Sequence, residues 1–171
     1  PSVWVALVSA GIGALLGGMV RTVVDWYTAF RKSKGMAIAL RAEIEALLQI
    51  VKARQYLPLV MERIERLQNP AYMPSMNDVF AIRVTQDYFT VFYALCPKIG
   101  LLDHLSGQIV LLYTVGKSLM EALNTLQDIL ERSRSGEGAL DRDELLTQSR
   151  DVALLLQTIL DGGQQAVDAL A

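Results

Sequence analysis

Residues able to do acid–base or metal chemistry are scarce in this sequence. His104 is the single histidine and Cys96 the single cysteine. A metal centre needs several Cys, His or carboxylate groups at ligand spacing, and the sequence has no HxxxH, CxxC or ExxH motif. We therefore expect no metal site and no cofactor, and we expect Cys96 to be a buried packing residue of an aromatic helix.

Motifs for nucleophilic catalysis and phosphate binding are also missing. No nucleophile motif flanks Ser106, Ser118 or Cys96, and neither a Walker glycine loop nor GxGxxG occurs. Helical HEPN ribonucleases carry an Arg four to six residues before a His, whereas the nearest Arg upstream of His104 is Arg83. The sequence predicts a non-enzymatic protein, and a hydrolase or ribonuclease acting through His104 ranks last among the alternatives.

A stripe of small residues lies in the first twenty positions. Ser9, Gly13 and Gly17 are spaced by four and share one helix face, and residues 13–17 match the GxxxG pattern. Small residues let helix backbones approach closely in lipid, where apolar side chains gain nothing from association. The stripe predicts a helix-association face, and the alternative is that glycine is simply common in membrane spans.

Two charged residues, Arg21 and Asp25, continue this face at the same spacing. Each four-residue step rotates by about 400°, so the face stays coherent over a few turns. A ring of such helices would place both residues at the mouth of a pore, where charged rings set ion selectivity. In the alternative interpretation, Arg21 reaches the lipid headgroups and pairs with Asp25 one turn away.

The element that carries these residues is predicted to cross a membrane. Residues 1–20 contain no charged side chain, and about 20 apolar residues span the roughly 30 Å hydrocarbon core. Trp4 and Trp26 flank the run as interfacial aromatics do, and no basic region of a cleaved signal peptide precedes it. Because the sequence starts with Pro1, we expect that an initiator methionine was removed. The basic flank follows the span, which predicts the N-terminus outside and the remainder in the cytoplasm.

Charge is divided unevenly along the chain. Residues 1–35 carry four basic residues and one acidic residue, a net charge of +3, and residues 36–171 carry 12 basic and 17 acidic residues, a net charge of −5. A protein that grips phosphate backbones shows a basic face on its folded part. No direct nucleic-acid partner is therefore expected.

Helical periodicity predicts an all-α protein with one N-terminal transmembrane helix followed by a cytosolic helical bundle of four to five helices. Residues 1–34 form the transmembrane helix and its juxtamembrane extension, and residues 35–171 form the bundle. Gly35 is expected to weaken the first helix. The other predicted helices cover residues 36–57, 58–68, 78–95, 104–133 and 141–160, and residues 58–68 are either a separate short helix or a kinked continuation of the helix before them.

Capping and breaking residues mark the predicted helix ends. Asp103 is expected to cap the helix that starts at residue 104, and Asp141 with Glu144 resembles a capping box for the last helix. Gly162 and Gly163 predict an end or a bend of that helix. The aromatic stripe of residues 78–95 is interpreted as core rather than as a ligand cage, with these side chains inward: Phe80, Val84, Tyr88, Phe89 and Phe92.

Four segments carry a resemblance. They are LRAEIEALL at 40–48, YFTVFY at 88–93, KIGLL at 98–102 and VLLYT at 110–114. Together with the N-terminal span they resemble small bacterial membrane-anchored helical proteins, and among characterised families the membrane accessory proteins of type VI-B CRISPR systems. Members of that family are single-span helical proteins that assemble into ring-shaped membrane pores and strengthen defence against phage.

The resemblance implies an oligomeric protein of the bacterial inner membrane that forms a pore or perturbs the bilayer, in antiphage defence. Its expected partners are other copies of the chain, the lipid bilayer and a cytosolic defence protein. The alternative is a membrane-tethered helical module that recruits a cytosolic partner without forming a pore.

Overall fold

A computed structural model describes residues 2–75, 88–136 and 138–171, with side chains from residue 21 onward. The described part is all-α, as predicted, with five α-helices, one 3-10 helix and no strand. The 3-10 helix is Cys96–Leu102, and the α-helices are α1 (Ser2–Ala53), α2 (Tyr56–Gln68), α3 (Thr90–Leu95), α4 (Leu105–Arg134) and α5 (Arg142–Ala169).

Helix α1 runs for 52 residues without a break at Gly35. The predicted weakening at Gly35 and the separate helix at 36–57 are therefore wrong. Gly35 is exposed, and nothing lies within 4 Å of the place a Cβ would occupy. One glycine in a helix interior costs about 1 kcal/mol relative to alanine. That is too little to end a helix whose backbone hydrogen bonds continue on both sides and whose following turns pack on a core.

Helices α4 and α5 are antiparallel and pack with α1 and α2 around two hydrophobic cores. The proximal core lies nearer the N-terminal half of α1 and contains Met36, Leu40, Ile44, Leu48, Ile109, Tyr113, Ala166 and Leu170. The distal core contains Val60, Ile64 and Leu67 of α2 with Leu126, Leu130, Leu145, Val152 and Leu156. The bundle is therefore two cores stacked along the long helices.

Much of the predicted core is confirmed. On α1, Leu40, Ile44 and Leu48 are buried as the apolar periodicity indicates, because they recur on one face every fourth residue. Helix α4 buries predicted positions in the same way: Ile109, Leu119, Leu123, Leu126 and Leu130. Helix α2 starts two residues before Pro58, which the first turn of a helix tolerates.

Capping of α5 by Asp141 is confirmed, whereas capping of α4 by Asp103 is wrong. The Asp141 side chain accepts a hydrogen bond from the Asp143 amide at 2.8 Å. Glu144 turns away from the expected capping box and pairs with Arg132 at 3.2 Å. Asp103 makes no side-chain cap for α4, and its backbone has a positive φ of 49°.

Three further predictions are wrong. Helix α5 continues past Gly162 and Gly163 to Ala169, because Gly163 packs against the Leu48 side chain and keeps its helical backbone. Cys96 is exposed, since it begins the 3-10 helix at an end of the bundle rather than lying inside a long aromatic helix. Tyr88 is exposed, although Phe89 and Phe92 are buried as predicted. Phe80 and Val84 lie outside the described residues.

Candidate functional site

The stalk segment, residues 21–35, is the most unusual surface of the described chain. Its residues are exposed, apart from the half-buried Ser33. Trp26 is 67% exposed and Phe30 is 57% exposed, although such side chains are normally the most buried. Val23, Val24 and Tyr27 are exposed beside them. A contiguous apolar surface of this kind marks an interaction site.

Contacts one turn apart order the side chains of the stalk segment. The rings of Trp26 and Phe30 stack with centroids 5.9 Å apart, and the Arg31 guanidinium carbon lies 5.0 Å from the centre of the Tyr27 ring. Such a distance is within reach of a cation–π interaction. At about 100° per residue, these aromatic rings share one face and Lys32 lies opposite. Lys34 falls on the same face as the aromatic rings and Arg31 lies beside them, so basic side chains border the aromatic surface.

The predicted pore-mouth residues, Arg21 and Asp25, lie in this segment and are exposed. Both are among the described residues, and no ion pair joins them. The predicted association face of Ser9, Gly13 and Gly17 lies on the backbone of α1 but outside the residues whose side chains are described.

Within the described residues, no helix has an apolar stretch long enough to cross a bilayer.

The bundle begins where the stalk segment ends. The Ser33 hydroxyl donates a hydrogen bond to the Leu101 carbonyl at 3.0 Å, and Met36 is the first buried residue of α1 among those whose side chains are described. The 3-10 helix and the start of α4 therefore form the end of the bundle that faces the stalk segment.

A polar cluster centred on Glu43 joins three helices at the proximal core. The Glu43 carboxylate accepts hydrogen bonds from the amides of Val91 and Phe92 at 2.7 and 3.1 Å. It also accepts one from the Tyr113 hydroxyl at 2.5 Å. Helix α3 has no capping side chain of its own. Glu43 supplies from α1 the acceptor that the first turn of α3 requires, and a carboxylate at that end suits the helix dipole.

Aromatic packing encloses Tyr113. The Phe92 ring stacks on it at a centroid distance of 3.9 Å, and the Phe89 ring meets it edge-on at 5.2 Å. Burial, followed by the hydrogen bond to Glu43 and by its negative charge, raises the pKa of the Tyr113 hydroxyl far above its ordinary value. The hydroxyl is therefore a hydrogen-bond donor at neutral pH, and its bond to Glu43 ties α4 to α1.

Helical periodicity alone does not reveal the role of Glu43. Its partners lie 48 to 70 residues away, so no local pattern reveals them. One signal was available: Glu43 directly precedes the core residue Ile44 and follows the core residue Leu40 by three positions. A carboxylate at the edge of a buried stripe needs a partner, because burying a charge without one is costly.

An apolar cavity of about 130 Å³ lies where the two cores meet. Among the described residues that line it, the polar side-chain groups are tyrosine hydroxyls. Its lining includes Ile44, Leu48, Tyr113, Gly116, Leu123 and Leu156.

Cys96 and His104 are both exposed. His104 is 83% exposed at its side chain, with its Nδ1 3.9 Å from a carboxylate oxygen of the exposed Asp103. Among the described residues, no three His, Cys, Asp or Glu side chains are grouped so that they could hold a metal ion.

Comparison with protein-family profiles, with curated proteins and with solved structures gives no match to this chain. Function is therefore inferred from the residues and their geometry.

Proposed function

We propose that this chain is a non-enzymatic, single-span protein of the bacterial inner membrane that assembles with copies of itself and perforates or perturbs the bilayer. Residues 1–20 cross the membrane, with the N-terminus outside and the bundle in the cytoplasm. No nucleic acid and no cofactor takes part.

The observation that carries the proposal is the continuity of α1. The helix starts at Ser2, includes the uncharged run of residues 1–20, passes through the stalk segment and ends inside the bundle. At 1.5 Å per residue, the 22 residues from Trp4 to Trp26 cover about 33 Å, close to the thickness of a hydrocarbon core. This length supports Trp4 and Trp26 as the two interfacial aromatics of one span.

Self-association is proposed through Ser9, Gly13 and Gly17. Because the side chains of the stalk segment are exposed in the described part of the chain, several copies of α1 have room to approach one another around a common axis. Arg21 and Asp25, which are exposed and not paired with each other, would then lie at the cytoplasmic mouth of the assembly.

The mass of the full chain in detergent tests the assembly. Gly13→Leu and Gly17→Leu should reduce an oligomer to monomers, since a large side chain on the contact face separates the helices. Gly11→Leu is the matched control, because position 11 faces about 160° away from position 13. If all three variants keep the wild-type mass by light scattering, the association face is wrong.

Dye release from sealed vesicles tests the pore. Wild-type protein should release a trapped dye, and the two contact-face variants should release much less at equal protein content. The proposed setting, antiphage defence, comes from the resemblance and is tested by plaque counts on cells with and without the protein. Equal counts would remove the defence role and leave the membrane activity standing.

A second candidate function is a membrane-tethered module that recruits a cytosolic partner. Two leucines on the bundle surface favour it: Leu111 is 64% exposed and Leu154 is 68% exposed. Protein that is monomeric in detergent and leaves vesicles sealed would support this candidate over the pore.

A further inference from the structure

The stalk segment has a charge opposite to that of the bundle beyond it. Between residues 21 and 35 lie Arg21, Arg31, Lys32 and Lys34 with one acidic residue, Asp25, whereas residues 36–171 carry an excess of five acidic residues. Five basic residues of the bundle are held in ion pairs: Arg41, Arg66, Lys117, Arg132 and Arg142. The basic residues of the stalk segment have no such pairing within the described chain.

The position of these charges along α1 matters. With Trp26 at the membrane interface, Arg31, Lys32 and Lys34 lie five to eight residues further on, or about 8 to 12 Å along the helix. That places them at the level of lipid headgroups and within about one Debye length of the surface. The exposed Phe30 ring, stacked on Trp26, would cover the boundary between acyl chains and headgroups.

We propose that the stalk segment binds anionic lipid headgroups, such as phosphatidylglycerol, through Arg31, Lys32 and Lys34. The inference rests on the proposed function, in which residues 1–20 cross the bilayer. The charges favour a lipid over a second copy of the chain as the occupant of this surface. A second stalk segment at the same height brings the same net charge of +3, whereas an anionic headgroup neutralises it.

The opposite charges of the stalk segment and the bundle orient the protein at an anionic membrane surface. An anionic surface attracts the stalk segment and repels the acidic bundle, so the bundle is held away from the membrane by its own charge. Copies of α1 that assemble side by side also bring their basic residues together, and anionic lipids between them relieve that repulsion.

Quenching of Trp26 by brominated lipids tests the proposal. The chain has two tryptophans, so Trp4→Phe leaves Trp26 as the single reporter. The full-length protein is reconstituted in phosphatidylcholine vesicles that contain either brominated phosphatidylglycerol or brominated phosphatidylcholine. We expect phosphatidylglycerol to be enriched around Trp26 by about two- to five-fold at low salt. The favourable interaction of one basic residue with an anionic surface, about 1 kcal/mol, corresponds to a factor of about five. High salt should reduce the enrichment.

Arg31→Gln/Lys32→Gln/Lys34→Gln should bring the enrichment close to one. Arg66→Gln/Lys117→Gln/Arg134→Gln removes the same charge from the bundle and should leave the enrichment unchanged. Equal quenching by the two lipids in protein that stays in the membrane would overturn the lipid inference alone. Release of the protein by alkaline carbonate would overturn the proposed anchor as well. Retained protein whose Trp26 neither lipid quenches would show that a second copy covers the aromatic face, and the lipid inference would fail.

Discussion

Glu43→Gln should weaken the bundle more than any other single change of charge on α1. Three donors converge on this carboxylate at 2.5 to 3.1 Å, and they come from α3 and α4. A hydrogen bond to a charged group contributes about 1.5 to 3 kcal/mol. Glu43 is half-buried, so the lower end applies. The amide of glutamine keeps one acceptor but points two donors at groups that are themselves donors. We expect a loss of about 2 to 3 kcal/mol in the free energy of unfolding.

Urea denaturation of the full chain in mild detergent, followed by circular dichroism at 222 nm, measures this loss. With a slope of about 1 to 3 kcal/mol per molar urea, the midpoint should fall by about 0.7 to 3 M. Glu45→Gln is the matched control. Glu45 lies two residues away on α1 and pairs with Arg41 at 2.9 Å on a partly exposed surface. A pair of that kind contributes about 0.5 kcal/mol or less.

Two further measurements locate the effect. The amides of Val91 and Phe92 should exchange with deuterium about 10- to 100-fold faster in Glu43→Gln, because their acceptor is lost. A double-mutant cycle with Tyr113→Phe should give a coupling of about 1 kcal/mol. Equal midpoints for the Glu43 and Glu45 variants, or a coupling below about 0.3 kcal/mol, would refute the view that Glu43 holds α3 on the bundle.

Three other predictions follow from the same structure. Gly163→Ala should be less stable than Gly162→Ala by about 1 to 3 kcal/mol in urea denaturation. A Cβ at Gly163 would lie 2.8 Å from Leu48 Cδ2, whereas a Cβ at Gly162 would make only an ordinary van der Waals contact. Equal stabilities of the two variants would contradict the close approach of Gly163 to Leu48. Because the folded-state pKa of Tyr113 is raised, its contribution is complete below about pH 10 and is lost above it. The difference in free energy of unfolding between wild type and Tyr113→Phe should therefore stay constant from pH 7 to 9 and shrink by about 1.4 kcal/mol per pH unit above pH 10. A difference that is unchanged at pH 11 would contradict the burial of the Tyr113 hydroxyl. Asp141→Ala should cost about 1 kcal/mol by removing the cap of α5, and no change in the thermal midpoint would count against it.

The fold class and the buried stripes could be predicted because they depend on local periodicity. Leu40, Ile44 and Leu48 recur at helical spacing, and that spacing alone identifies the face of α1 that meets the bundle. Asp141 could be predicted as a cap because its hydrogen-bond partner is two residues away.

The errors arise where local sequence patterns do not determine the outcome. Gly35 and Gly163 look alike as helix breakers, yet one lies in open space and the other against Leu48, and the helix continues through both. Cys96 was expected to be a buried packing residue of an aromatic helix, but it begins the 3-10 helix that follows α3 and is exposed. The role of Glu43 depends on two backbone amides almost 50 residues away, and the types of the residues that carry them give no sign of this contact.

The continuity of α1 also fixes a rotational relationship. Every residue of a helix adds about 100° of rotation and 1.5 Å of rise, so the first residues of the chain and the bundle share one angular registry along the 52 residues of α1. One alanine inserted after Gly35 would turn the bundle by about 100° relative to the N-terminal face, whereas seven inserted residues would restore the registry to within about 20°. The number of residues in the stalk segment therefore sets the rotation of the bundle about the axis of α1, relative to the face of the N-terminal residues.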